Sequence, residues 1–308
     1  MLHPVFEDNI NSMIRNLGAS KGEMSEDIVH HLRVATLLNS QVVMAGSQAQ
    51  LEPGDFPHIV GEYNFLVVHA KFRVKSSELL FKLGESIKQE KGIQWTHNEI
   101  NAEMAGQVLA ATETTSSALA FIFYELAKNS SLQESVYNEL SNAADNDNLE
   151  NLKLLGACVS EGLRFRPPVA LTGSRVVPNG GIDILGYYIP AGTVVTTQSL
   201  SMSRQRPDLF PNYDIFDPTR WLDEDQVAER RRLTAPFGVG ARRCPGGYMA
   251  TYQMRLIIAA VLREFKVSIA PETTPESMTP FEANGFRSRY DKCFLMFTPR
   301  GSPADDKA

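Results

Sequence analysis

In the first half of the chain apolar residues recur three and four positions apart, and this spacing predicts helices. One such stripe runs through SEDIVHHLRVATLLNSQVVMAG (25–46) and another through HIVGEYNFLVVHAKFRVKSSELLFKLGESI (58–87). A third, long helix is predicted from Thr96, where Thr96 and Glu99 have capping-box spacing, through MAGQVLAATETTSSALAFIFYELAKN (104–129). Apolar residues surround that segment almost completely, so a central buried helix is expected. AADNDNLEN (143–151) reads as a surface loop, and NLKLLGACVSEGLRF (151–165) as a helix stopped by Pro167 and Pro168.

Beyond the prolines the pattern changes. GGIDILGYYIPAGTVVTTQSLSM (180–202) is punctuated by Gly and Pro and rich in β-branched residues, which predicts short strands. Little regular structure is expected over 203–243. GGYMATYQMRLIIAAVLREF (246–265) predicts a largely apolar helix, KCFLMFTPR (292–300) a strand, and 301–308 a flexible tail. The sum is an α+β, mainly helical chain with its strands in the C-terminal half.

Composition narrows the function. A 43% hydrophobic share over 308 residues supplies ample material for a core. A net charge of -6 speaks against a nucleic-acid partner. The three cysteines, Cys158, Cys244 and Cys293, are too few and too scattered for a disulfide framework and suit a reducing compartment. MLHPVFEDNINSMIRNL lacks a basic-then-apolar signal pattern, and no apolar run is long enough for a transmembrane span, so an intracellular, soluble chain is expected.

The segment richest in chemistry is PFGVGARRCPGGYMA (236–250). It places Cys244 in a glycine-rich loop directly before a long helix, where the helix dipole favours a thiolate. Gly238, Gly240, Gly246 and Gly247 permit tight turns and close approach of a flat ligand. Glu161 and Arg164, three apart, share one helix face; Arg220 would add a second cation to the same carboxylate. Ala110 and Thr114, four apart, share a face of the long helix, where small side chains leave room for a ligand and a Thr hydroxyl can bond the preceding turn. The six histidines show no ligand spacing, and His30 and His31 point to different sides of their helix. Arg230, Arg231 and Arg232, with Arg243, would form a basic patch against the acidic balance.

Phe237-Gly238-x-Gly240-x-Arg242-x-Cys244-x-Gly246 resembles the cysteine-ligand loop of the cytochrome P450 family at every signature position. Glu161-Gly162-Leu163-Arg164 resembles its ExxR helix, Phe216-Asp217-Pro218-Thr219-Arg220-Trp221 its second-Arg segment, and Ala110-Ala111-Thr112-Glu113-Thr114-Thr115 its oxygen-activation motif, with Ala111 where Gly is common. The resemblance implies a P450-like fold, a heme b held through its iron by Cys244, and monooxygenation of an apolar small molecule with O2 and electrons from a separate reductase. It implies catalytic roles for Thr114, which delivers protons, and for Glu113, the neighbouring acid. Phe237, Gly240, Arg242, Gly246, Arg175 and Ala110 would contact the cofactor, with Arg242 and Arg175 pairing its propionates. Glu161, Arg164 and Arg220 would form a structural triad, and the basic patch would steer an acidic electron-transfer partner.

The resemblance also implies a longer N-terminal region than this chain shows. HPVF at residues 3–6 resembles the end of the helix that follows the family's first strands, so the expectation is a single truncated domain over 1–300, lacking the N-terminal strands and helices and leaving an unpaired edge near 193–203. Three readings follow: a heme-thiolate monooxygenase; a shortened relative binding a small molecule without heme, as a cyclase or isomerase; or an inactive fragment of a longer protein.

Overall fold

The computed structural model describes residues 3–45, 92, 95–143, 149–171, 173–282 and 285–301. The stripe expected at 58–87 and the tail from 302 lie outside these residues. The described chain opens with two helices, α1 (His3–Leu17) and α2 (Ile28–Ala45), separated by a two-residue strand β1 (Glu26–Asp27). Phe6, Ile10, Met13 and Leu17 form the buried stripe of α1. The helix expected from Ser25 starts later because Asp27 caps it. Its Oδ1 accepts the N–H of Val29 at 3.2 Å and that of Cys293 at 3.0 Å, while its backbone pairs in the sheet.

The long helix α3 (His97–Lys128) begins as the capping box requires, with Glu99 N donating to Thr96 Oγ1 at 3.2 Å and Thr96 N to Glu99 Oε2 at 2.7 Å. Ala118 to Tyr124 and Leu126 are buried at the centre of the core. The half that precedes them departs from the expected burial: Gly106, Leu109 and Ala110 are exposed. α3 is thus a core helix at its C-terminal end and is open on one face only at the turns that carry Ala110 and Thr114, since Val108 and Thr112 on the other face are buried.

Helices α4 (Ser130–Asn142) and α5 (Lys153–Phe165) follow. The stretch expected as a plain loop ends in a 3-10 turn, Leu149–Asn151. Leu149 is buried there, and its carbonyl accepts from Arg255 Nη1 at 2.9 Å. α5 lies very close to α3 at Gly162, where an added Cβ would sit 2.3 Å from Ile122 Cγ1. Gly162→Ala is therefore expected to lose about 1–3 kcal/mol by overpacking, despite its better helix propensity, in urea unfolding. Gly156→Ala is the milder comparison, since its added Cβ meets only the guanidinium end of Arg255, a long side chain that can shift more readily than Ile122. Equal stability of the two variants would contradict the packing assigned to Gly162.

Strand β2 (Arg175–Val176) pairs antiparallel with β5 (Val194–Val195), and β3 (Ile182–Ile184) with β4 (Tyr187–Ile189) through a turn in which Leu185 and Gly186 take φ of 54° and 85°. Within the described residues β5 pairs only with β2, and Val176 and Val194 are exposed. The strand pattern expected through 202 stops at Gln198: Ser199–Met202 is a short helix, α6, whose first N–H is taken by Ala170 O at 3.0 Å.

The region expected to be irregular holds an eight-residue helix, α7 (Val227–Thr234), closed by Ala235 in the left-handed conformation. Helix α8 (Gly247–Glu264) leads directly into β6 (Phe265–Ile269), a strand the apolar helix pattern concealed. A hairpin, β7 (Pro280–Glu282) and β8 (Phe286–Ser288), precedes β9 (Phe294–Pro299). β9 is the middle of a three-stranded sheet, with β1 on one side and β6 on the other, all antiparallel. Among the described residues the other strands lie in the C-terminal half, as expected, and no helix is long and apolar enough to cross a membrane.

Candidate active site

Cys244 lies three residues before α8 begins. Its N–H donates to Phe237 O at 2.8 Å and that of Arg243 to Gly240 O at 3.1 Å, which folds residues 237–244 into a tight loop. Gly238 and Gly240 take φ of 72° and 75°, a region that L residues avoid. A Cβ at Gly240 would meet nothing within 4 Å, so the loop faces open space. The Phe237 ring packs over Gly247, where a Cβ would come within 3.1 Å of it, and this contact ties the loop to the helix. Gly246 caps α8 and stands beside the sulfur.

The three cysteines are in contrasting states. Cys158 and Cys293 are fully buried, and burial pushes both thiols far above the usual range. Cys244 is exposed.

A buried carboxylate node joins α5 to the segment that precedes the loop in the chain. Glu161, wholly buried, accepts Arg164 Nε at 2.8 Å and Arg164 Nη2 at 2.7 Å, a bidentate pair. Arg220 Nε reaches the same carboxylate at 3.2 Å, with Asp217 N at 2.9 Å and Trp221 Nε1 at 2.9 Å. The remaining N–H groups of the two arginines grip main-chain carbonyls: Arg164 those of Tyr213 and Ile215, Arg220 those of Pro211 and Asn212. The geometry brings Glu161, Arg164 and Arg220 together and adds Trp221, which the Glu-Arg-Arg spacing alone did not single out.

Arg230 corrects the expected basic patch. It is 5% exposed, donating to Leu209 O at 2.7 Å, Arg220 O at 2.5 Å, Asp223 Oδ2 at 3.1 Å and Gln226 Oε1 at 2.7 Å. It braces Arg220 from behind, leaving Arg231, Arg232 and Arg243 exposed. Its place at i+4 from Gln226 was the available signal.

On α3, Thr114 Oγ1 donates to Ala110 O at 2.7 Å, the bond to the preceding turn expected of it. Glu113 is half-buried, and its Oε2 accepts from Arg33 Nη2 at 3.0 Å. Arg33 was not foreseen, although a single cation in the apolar run IVHHLRVATLLN called for a carboxylate. Arg242 is exposed at the end of a 3-10 turn. Arg175 is exposed too, with Nη1 on its own loop at Gly173 O and Ser174 O, 2.7 and 3.0 Å away. His30 is exposed, whereas His31 is half-buried 3.4 Å from Glu26; the two rings meet edge to face at 5.6 Å rather than diverging fully.

The residues present suit a heme. A soft thiol ligand faces open space at a helix start, beside a loop in which glycines leave room for a flat macrocycle. α3 supplies a second open surface with small residues at Gly106 and Ala110.

Comparison with known proteins places this architecture. A cytochrome P450 family model matches residues 69–291. Averantin hydroxylase of Dothistroma septosporum is 34% identical over 203 residues, covering 63% of this chain and 38% of that protein. Cytochrome P450 monooxygenase atr2 of Stereocaulon alpinum is 33% identical over 193 residues, 60% of this chain and 38% of that protein. Cytochrome P450 monooxygenase cpaH of Aspergillus oryzae is 35% identical over 180 residues, 56% and 35% respectively. The chain thus spans little more than a third of the length of these relatives. The cysteine loop, the buried carboxylate node and the family match converge on one conclusion: the chain belongs to the cytochrome P450 family.

Proposed function

We propose that the chain is a heme-thiolate oxidoreductase that monooxygenates an apolar small molecule, with O2 and electrons from a separate reductase. The observation that carries the reading is the Cys244 loop. Of three cysteines, it alone is exposed, in a loop closed by Cys244 N to Phe237 O and facing open space. When bound, heme b supplies the iron and the oxygen chemistry.

The chain's own residues do the rest. Cys244 provides the ligand sulfur. Phe237, Gly240, Gly246 and Ala110 shape the surface against which the macrocycle lies. Arg242 and Arg175 are the cations for its propionates. The Thr114 hydroxyl, held on Ala110 O at the open face of α3, and the neighbouring Glu113 carboxylate, held by Arg33, move protons. Glu161, Arg164 and Arg220 act through structure, pinning the 211–221 stretch that leads to the loop. The exposed arginines 231, 232 and 243 offer the reductase a cationic face.

An apolar substrate is supported by Leu109, Val169 and Leu171, large apolar side chains left exposed. Two contacts bring their segments together: Phe286 N donates to Pro168 O at 2.7 Å, and Ser117 Oγ donates to Phe286 O. The name of one relative, a hydroxylase, supports oxygen insertion.

The test is the absorption spectrum of the purified chain supplied with heme, reduced and exposed to carbon monoxide. A Soret band at the thiolate-ligated position is the expected result. Its absence, with heme in excess, would overturn the reading and leave the heme-independent relative and the inactive fragment.

A further inference from the structure

We propose that Arg33 is a positioning residue that holds the Glu113 carboxylate on the α2 side of α3, and that Asp291 sets how firmly it does so by competing for the same guanidinium. The proposal rests on the reading that Glu113 handles protons beside Thr114.

Arg33 sits in the apolar run of α2 and is 5% exposed, so its charge needs partners. Among the described residues two carboxylates meet it. Nη1 and Nη2 donate to Asp291 Oδ2 and Oδ1, both at 2.7 Å, a parallel two-bond pair. Nη2 also reaches Glu113 Oε2, at 3.0 Å. The better geometry therefore goes to Asp291, which comes from the turn before β9, and the longer bond to Glu113. Asp291 is itself approached by a second cation, Arg287 Nη1, at 3.5 Å. Two cations and two carboxylates from α2, α3 and the C-terminal hairpin thus form one cluster. Within it Arg33 attracts Glu113, and the negative charge of Asp291 repels it.

The placement matters for α3. Thr112 O, one residue before Glu113, accepts from Thr36 Oγ1 at 3.4 Å, so this part of the helix faces α2. Ala110 and Thr114 lie on the neighbouring open face. Glu113 stands between the two, and Arg33 draws its carboxylate toward α2. A change at Asp291 reaches Glu113 through the guanidinium that the two carboxylates share.

The experiment is carbodiimide labelling of carboxylates in the purified chain, with glycinamide as the nucleophile and peptide mass readout. Exposed Glu224 is the internal reference. Circular dichroism of each variant verifies folding. Arg33→Gln is expected to raise Glu113 labelling at least twofold, and Arg33→Lys to return it toward wild type. Asp291→Asn is expected to lower it at least twofold, because the competing negative charge on the shared Nη2 is then gone. A purely structural cluster would loosen in both variants and raise labelling in both, so a rise in Asp291→Asn, or no change, overturns the proposal. Should Arg33→Gln fail to fold, Asp291→Asn and Arg33→Lys still decide it. No step needs heme, so a missing Soret band would defeat the proposed function and leave this result to stand or fall separately.

Discussion

Glu161→Ala is expected to lose about 3–5 kcal/mol of stability, among the largest effects of any single substitution in this chain. The carboxylate is completely buried, and two arginines, themselves 4% and 6% exposed, hold their charge against it. Removing it leaves both cations without their carboxylate, and the N–H of Asp217 and the indole of Trp221 without an acceptor. The consequence spreads, because Arg164 and Arg220 use their remaining N–H groups to fix the carbonyls of residues 211–215. That stretch leads through α7 into the Cys244 loop, so heme retention should fall with stability. Glu161→Gln keeps the shape and two polar atoms, and should lose less. Urea unfolding of the three proteins, with heme content measured alongside, makes the comparison. Unchanged stability and heme content in Glu161→Ala would contradict the structural role.

This node shows what the sequence made legible. Glu161 and Arg164 are three apart on one helix, and local spacing alone puts them on one face. Thr96 and Glu99, and the stop of α5 before Pro167, are equally local and were readable. Elements that depend on distant partners were not. Glu26 and Asp27 carry a helical pattern, yet they pair with β9 more than 260 residues away. Phe265 continues the apolar pattern of α8, but its backbone joins Pro299. Arg230 looked like one charge of a solvated run; it is buried because Leu209 and Arg220 offer carbonyls that no local pattern announces. α3 misled in the opposite sense. Its composition is apolar all round, while burial is decided by which neighbours pack on it, and among the described residues they enclose its C-terminal half but leave the Gly106 and Ala110 face of the half before it exposed. In the candidate site, residue types and spacing identified the ligand loop and the Thr114 turn, whereas Arg33 and Asp291 emerged only once three segments were seen together.

Cys244→Ala is expected to abolish the thiolate-type Soret signature entirely, while the fold survives. The loop is closed by backbone, Cys244 N to Phe237 O and Arg243 N to Gly240 O, and neither bond uses the sulfur. The side chain is exposed, so its removal leaves no cavity. Neither remaining cysteine can replace it: Cys158 and Cys293 are enclosed in the core, and burial keeps both as neutral thiols. The same contrast predicts a thiol count. A water-soluble disulfide reagent should modify one cysteine in the heme-free native protein, none in Cys244→Ala, and all three in the wild-type chain unfolded in guanidinium. Heme should protect that one thiol, since ligation occupies the sulfur the reagent attacks. A wild-type thiolate spectrum in Cys244→Ala, or a thiol that stays equally reactive with heme bound, would show that the iron is held elsewhere, and the assignment of the 237–246 loop as the heme site would have to be withdrawn.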